Sequence, residues 1–323
     1  MTAFLVALIA SVVLVGVVTA ALPLLGVMDV PNHRSSHRRP VPRGGGIALV
    51  PCMALGISVS SSWTSALAWL VGGALALGIV GLADDVRDIP APVRLGLQLI
   101  VTAAVGVAVV RTLSDLSTAA AVATGLVGAV WLTGLVNVFN FMDGANGVAG
   151  FQAVVAGGWF AYVGSREDVT SLLVGGLVLL GAALGFLPWN YPRARVFLGD
   201  VGSYSLGLVL GALSLVTVLS THSVLLAVAP VCVFLADTTL TLVRRAVAGK
   251  PVMTAHREHV YQRLTTVPGS PWPAVAPTAT SVVCVVVAAA TPLTICLVLW
   301  CLAIGTYVAL PWLLDRQRAA GLR

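Results

Sequence analysis

Stretches of about 17–25 apolar residues, long enough to cross a bilayer core as helices, recur along this chain from one end to the other. Backbone polar groups in lipid must be satisfied within their own segment, which leaves helices or closed barrels as spanning structures. Eleven such stretches are read: Ala3–Leu25, Gly45–Ser61, Thr64–Ala83, Val93–Val110, Ser117–Val136, Val148–Val163, Val169–Leu187, Tyr204–Leu219, Val224–Val243, Ala274–Ala290 and Leu293–Leu314. Several are short, and only Ser62–Trp63 separates the second from the third. The expectation is an all-α polytopic membrane protein, a single integral domain over residues 1–323. A charged fraction of 9% excludes an ordinary soluble domain, in which about a quarter of residues are charged.

The basic residues set an orientation, because loops rich in Lys and Arg stay in the cytoplasm. With eleven spans, one side holds Arg34, Arg38, Arg39, Arg43, Arg87, Arg94, Arg193, Arg195, Arg244, Arg245, Lys250, Arg257, Arg263, Arg316, Arg318 and Arg323. The other holds Arg111 and Arg166. This predicts an external N-terminus and a cytoplasmic C-terminus. The net charge of +6 is thus a topology signal, with no basic soluble face for nucleic acid. The first stretch has its basic cluster after it and none before, the wrong polarity for a cleaved signal peptide. The five cysteines all lie in apolar stretches without a CxxC pair. They indicate neither a disulfide framework nor a zinc site.

The predicted external loops are short and plain, whereas the cytoplasmic ones collect the chemistry. They read DVPNHRSSHRRPVPRGGG (29–46), GLADDVRDIPAPVR (81–94), NVFNFMDGANG (137–147), NYPRARVFLGDVGS (190–203) and RRAVAGKPVMTAHREHVYQRL (244–264). Asp84, Asp85, Asp143 and Asp200 fall at or near the inner ends of spans. Taken singly, each Asp or Asn reads as a helix cap or turn former. Five such loops on one face instead point to a hard divalent cation and phosphates. Mg²⁺ takes oxygen ligands and is shared between one or two carboxylates and substrate phosphates, and arginine anchors phosphate oxygens. In 137–147 a polar residue recurs every third position, at Asn137, Asn140, Asp143 and Asn146. Each step of three falls about 60° short of a full turn. The four therefore cannot share one helical face, and Asn146 is expected beyond the helix end. Asp237, inside the ninth stretch, is costly in lipid unless it faces the bundle interior, and reads as a packing or supporting residue.

These motifs, GLADDVRD, NVFNFMDGANG, FLGDVGS and HREHVYQRL, in that order and on one side of the membrane, resemble a known family. The chain looks like a polyprenyl-phosphate N-acetylhexosamine-1-phosphate transferase, of the superfamily that includes the peptidoglycan phospho-MurNAc-pentapeptide translocase. Its RSSH…PRGGG and HREHVYQR wording is most similar to the branch that starts O-antigen and related surface glycans. The resemblance implies an enzyme of the cell membrane with its active site facing the cytoplasm. Its reaction joins a UDP-N-acetylhexosamine and undecaprenyl phosphate into undecaprenyl-diphospho-sugar and UMP, with Mg²⁺ or Mn²⁺; a homodimer is among the assemblies allowed. Carried over residue by residue, Asp84 and Asp85 match the Asp-Asp motif proposed to orient or deprotonate the lipid phosphate. Asp200 matches the metal-binding Asp, with Asn140 joining it. Asn137 and Asp143 are expected at the nucleotide or metal, Arg94 at the active site, and His256, Arg257 and His259 on the loop over the sugar diphosphate. Two departures stand out. Asn146 replaces a common acid, and Asp88 stands where the peptidoglycan branch carries lysine. The rival reading, a transporter with an intramembrane ion path, requires acids near span midpoints and broken helices. A non-catalytic lipid-binding scaffold is a third.

Overall fold

The computed structural model describes residues 1–30, 40–252, 254, 256–266 and 270–319. Of the basic residues counted above, Arg34, Arg38, Arg39 and Arg323 lie outside them. All eleven apolar stretches fold as helices. In chain order the α-helices of the described residues are α1 (Thr2–Ala21), α2 (Leu49–Ser58), α3 (Ser65–Arg87), α4 (Ala91–Leu113), α5 (Thr118–Met142), α6 (Val148–Arg166), α7 (Thr170–Asn190), α8 (Gly199–Thr221), α9 (Val224–Val228), α10 (Cys232–Val247), α11 (Val260–Arg263), which lies outside the apolar stretches, α12 (Trp272–Ala290) and α13 (Leu293–Ala319). Among the described residues, nine helical segments are long and apolar enough to cross a membrane. The 19-residue α6 is also mostly apolar. The chain is a multi-pass, all-α membrane protein.

Three stretches depart from a simple span, each for a local reason. The second is helical only over Gly45–Ser58. The Ser58 and Ser60 hydroxyls bond back to the Leu55 and Ile57 carbonyls there, and Thr64 caps the next helix by accepting from the Leu67 amide. The ninth breaks into α9, a 3₁₀ turn at Ala229–Val231 and α10. Pro230 lacks the N–H that a continuous helix needs, so the Leu226 carbonyl accepts from Trp159 Nε1 at 2.8 Å instead, and the Pro230 carbonyl accepts from Gln152 Nε2. The eighth begins earlier than its apolar run, so Asp200 lies in the first turn of α8.

α8 is the axis of the bundle. Of its most apolar window, 89% is buried, and it packs against α3, α4 and α5. Toward the outside, Ile79, Val127, Val130, Val298 and Leu302 are exposed in the places lipid tails would cover. The helices α1, α3, α5, α7 and α10 end where α4, α6 and α8 begin. Hydrogen bonds between their loops show that these ends are shared. A short antiparallel pair, β1 (Met28–Asp29) with β2 (Val41–Pro42), returns the chain from α1 to this end. From there the Gly44 and Gly45 amides donate to the Phe197 carbonyl and the Phe197 amide donates to Pro42. The Gly147 amide donates to Asn190, and Asn146 to the Pro192 carbonyl. The described parts of the five polar loops form one surface at one end of the bundle.

Candidate active site

The first turn of α8 has free amides and no cap of its own. A helix N-terminus leaves such donors unsatisfied and carries partial positive charge. Asp85 supplies the missing cap from another helix. One carboxylate oxygen accepts from the Asp200 amide at 3.0 Å and the other from the Val201 amide at 3.1 Å. Gly199, just before, has φ +76°, a left-handed conformation that suits glycine. The Asp85 side chain is almost fully buried.

Asp84 faces a different way, because adjacent residues on a helix point about 100° apart. It accepts from Tyr204 Oη at 2.5 Å, Arg94 Nη1 at 3.1 Å and the Ile89 amide at 2.8 Å. The two acids of the doublet thus hold different partners. Asp84 joins α3 to α4 and α8, and Asp85 closes the start of α8.

A residue that the sequence presented only as one basic residue among many completes the centre. Arg43, the residue after β2, donates from Nε to Asp85 at 2.7 Å and from Nη2 to Asp200 at 3.0 Å. Burial works against its charge, yet Asp200, Asp85 and Asp29 outweigh it and hold the guanidinium above its ordinary value. Its one sequence signal was its place directly before Gly44–Gly46. Tyr204, four residues after Asp200 and so on the same face of α8, also carried no motif signal.

Asn140 donates from Nδ2 to Asp200 and to Ser203, both at 3.0 Å. It therefore orders the Asp200 carboxylate from α5. Asn137, one turn earlier, faces α4 instead, donating to Gln98 at 2.7 Å and to the Thr133 carbonyl. Asn146 lies in the turn between α5 and α6. The expected drift around α5 is realised. Asp143 ends α5 half-buried, and its carboxylate has no hydrogen bond among the described residues. Burial, with the neighbouring charges of Asp200 and Asp85, pushes it well above the ordinary carboxylate range.

The histidine loop rests on this turn through Tyr261. Its hydroxyl donates to the Phe141 carbonyl and accepts from the Gly144 amide, each at 2.9 Å. His259 is buried, its ring stacked on Phe141 and His256. His256 is half-exposed, its ring pushed down to about 4 by burial, His259 and Arg245, so it is neutral at pH 7. Arg257 is exposed, with no ion pair among the described residues. The structure thus gathers Asp84, Asp85, Arg94, Asn140 and Asp200 at one centre, with Asp143 beside it. His256 and Arg257 lie at the loop surface, and His259 and Asn137 are turned into the protein.

The donor set bears on a metal. Among the described residues no three His, Cys, Asp or Glu side chains are grouped as a ready-made protein cage. Mg²⁺ needs none, since it keeps waters and takes one or two carboxylates with substrate phosphates. Asp200 and the unbonded Asp143, whose charges oppose each other, fit that pattern.

The chain is similar to known proteins over much of its length. Residues 67–218 match the model of the family described as glycosyl transferase family 4. The chain is 26% identical over 277 residues to a probable undecaprenyl-phosphate N-acetylglucosaminyl 1-phosphate transferase of Bacillus subtilis, covering 81% of this chain and 76% of that protein. It is 31% identical over 290 residues to a decaprenyl-phosphate N-acetylglucosaminephosphotransferase of Mycobacterium tuberculosis, covering 74% and 69%. A phospho-N-acetylmuramoyl-pentapeptide-transferase of Lacticaseibacillus paracasei is 39% identical, over 90 residues, 28% of this chain and 27% of that protein.

Proposed function

The chain belongs to glycosyl transferase family 4, and from that membership we propose that it transfers N-acetylglucosamine 1-phosphate from UDP-N-acetylglucosamine to undecaprenyl phosphate or a similar polyprenyl phosphate. An oxygen of the lipid phosphate attacks the sugar-bearing phosphorus. The bond from that phosphorus to the oxygen bridging the two phosphates breaks, and UMP leaves with that oxygen. The observation that carries this reading is the Asp200 centre. It sets an acid on a helix N-terminus, two arginines and a second, unbonded acid at one end of a membrane bundle.

Phosphoryl transfer asks a protein for alignment and charge neutralisation more than for covalent chemistry. A phosphate monoester is largely ionised at neutral pH, since its second pKa is about 6. The attacking oxygen therefore needs no base. In this reading Asp84 acts by holding Arg94 and Tyr204, so that Arg94 meets the lipid phosphate at the membrane edge. Arg43 meets the diphosphate, and Asn140 keeps Asp200 in place. A Mg²⁺ or Mn²⁺ ion held by Asp200 and Asp143 would neutralise charge on the diphosphate and on the departing UMP. His256 and Arg257 face the soluble donor.

We place the site end in the cytoplasm, with the N-terminus outside and the C-terminus inside. What supports this is the gathering of sixteen of eighteen Lys and Arg at that end in the sequence-derived topology. The transporter reading is disfavoured by where the break falls. Ala229–Val231 carries no acid, and Asp237 is enclosed by hydrogen bonds from the histidine loop. The test is UMP release by the purified protein in nanodiscs, with undecaprenyl phosphate, Mg²⁺ and a panel of UDP-sugars. UMP release dependent on both the lipid and UDP-N-acetylglucosamine is expected. Failure with every UDP-sugar overturns the reading, and preference for another sugar corrects the donor.

A further inference from the structure

One buried acid stands outside the centre just described. Asp237 lies in α10, is 0% exposed, and accepts five hydrogen bonds. Its Oδ1 takes the Val260 amide at 3.0 Å, His259 Nδ1 at 3.2 Å and the Thr241 hydroxyl at 3.3 Å. Its Oδ2 takes Tyr307 Oη at 2.7 Å and the Tyr261 amide at 3.3 Å. Two backbone amides and two hydroxyls leave it acting as an acceptor, so the His259 ring donates from Nδ1. Four of these bonds come from outside α10. Three belong to the first residues of the histidine loop's own helix and its preceding residue, and the fourth to α13 on the rim of the bundle.

The contacts continue without a gap. Tyr261, held at its amide by Asp237, reaches with its hydroxyl to Phe141 and Gly144, on either side of Asp143. His259, held at its ring, stacks on His256 with ring centroids 4.9 Å apart. α13 is otherwise peripheral, with 17% of its apolar window buried, yet Tyr307 is 2% exposed at this node.

We propose that Asp237 is the positioning residue of the histidine loop, and that Tyr307 on the last helix completes it. Together they set His256 and the Asp143 turn for the soluble nucleotide-sugar rather than for the lipid phosphate. The proposal rests on the transferase reading above. Asp237 touches no substrate in it. It acts by fixing a ring, two amides and, through Tyr261, the turn that carries Asp143.

The test uses Tyr307→Phe and Asp237→Asn in the full-length protein in nanodiscs. Tyr307→Phe removes one hydroxyl from a rim helix and leaves the loop sequence intact. Losing a hydrogen bond to a charged group predicts a rise of about tenfold in KM for UDP-N-acetylglucosamine. The KM for undecaprenyl phosphate and kcat should stay within about twofold. Asp237→Asn, whose amide presents a donor to groups that are themselves donors, should raise the same KM further. If Asp237→Asn fails to fold, Tyr307→Phe alone carries the kinetic test. Amide hydrogen exchange, read without any substrate, should quicken at 256–264 and 143–146 in the folded variants and stay unchanged on α8. Equal rises in both Michaelis constants, or a loss confined to kcat and thermal stability, would make Asp237 merely structural and overturn the proposal. So would unchanged exchange in the loop. If the wild-type protein releases no UMP, the transferase reading fails by itself, and exchange still decides whether Asp237 and Tyr307 position the loop.

Discussion

Replacing Gly46 by alanine tests the geometry of the centre without removing any functional group. Gly46 lies in the 3₁₀ turn that leads into α2, three residues after Arg43. A Cβ there would stand 2.1 Å from Gly202 Cα, 2.5 Å from its nitrogen and 2.9 Å from the Leu198 carbonyl oxygen. All three are backbone atoms that no rotamer change can move. Ordinary contact begins near 3.4 Å, so the turn must withdraw from α8 by about 1.3 Å. That movement loosens the Gly46 amide bond to Leu198, now 2.9 Å. It also takes Arg43, now 3.0 Å from Asp200, out of ion-pair range. Overpacking of this kind costs about 1–3 kcal/mol of stability. A displacement near 1 Å in a catalytic array costs roughly a hundredfold in rate, equivalent to about 2.7 kcal/mol of barrier. The assay is UMP release in nanodiscs beside thermal unfolding. The control is Gly72→Ala in α3, where an added Cβ meets nothing within 4 Å, and where alanine favours the helix by about 0.5–1 kcal/mol. Gly46→Ala should lose about two orders of magnitude while Gly72→Ala keeps full rate. Indistinguishable rates would refute the claim that close contact of this turn with α8 sets the position of Arg43.

Three further outcomes follow from single contacts. Asp84→Asn should lower kcat about a thousandfold by releasing Arg94, whereas Tyr204→Phe, which removes one of three donors to Asp84, should cost about tenfold; equal losses would contradict the division. Asp143 is held well above the carboxylate range by burial and by Asp200 and Asp85, so the folded state binds its proton more tightly than the unfolded one. Wild-type stability should therefore fall as pH rises above the ordinary carboxylate value, and Asp143→Asn should be more stable than wild type at pH 8 but not at pH 4, while losing most UMP release; matched melting curves at both pH values would refute this. Asn146→Asp gives up one 3.2 Å bond to the Pro192 carbonyl on the turn, and should keep activity within about fivefold in the same UMP assay.

Much of this was legible in the chain. Eleven apolar stretches became helices because backbone in lipid has no other outlet for its polar groups, and polar loops on alternate turns had to share an end. The drift of Asn137, Asn140 and Asn146 around α5 followed from 3.6 residues per turn. What stayed hidden depends on which helix lies beside which. Nothing near Arg43 in sequence says that it reaches Asp85 and Asp200, 42 and 157 positions away by residue number. Likewise, Asp237 could be judged costly in lipid from its place in an apolar stretch, yet its partners His259 and Tyr307 come from a loop and a helix later in the chain. The Asp84–Asp85 doublet read as one motif because sequence shows adjacency, whereas a helix separates neighbouring side chains. The second helix ends before its uncharged stretch does, at Ser58, where the Ser58 and Ser60 hydroxyls turn onto helix carbonyls.

The burial of α8 divides the molecule by how freely it can change. Asp200 and Tyr204 stand on the helix with least open surface, where almost any side-chain exchange disturbs several neighbours at once. The histidine loop is borne by α10 and α13, whose outer faces border lipid and accept substitution at little cost. On the proposed reading, variation can therefore accumulate on the side that would meet the sugar nucleotide while the centre that would handle phosphate stays fixed. New donor specificities would then arise by drift at the rim, with the phosphate chemistry inherited unchanged.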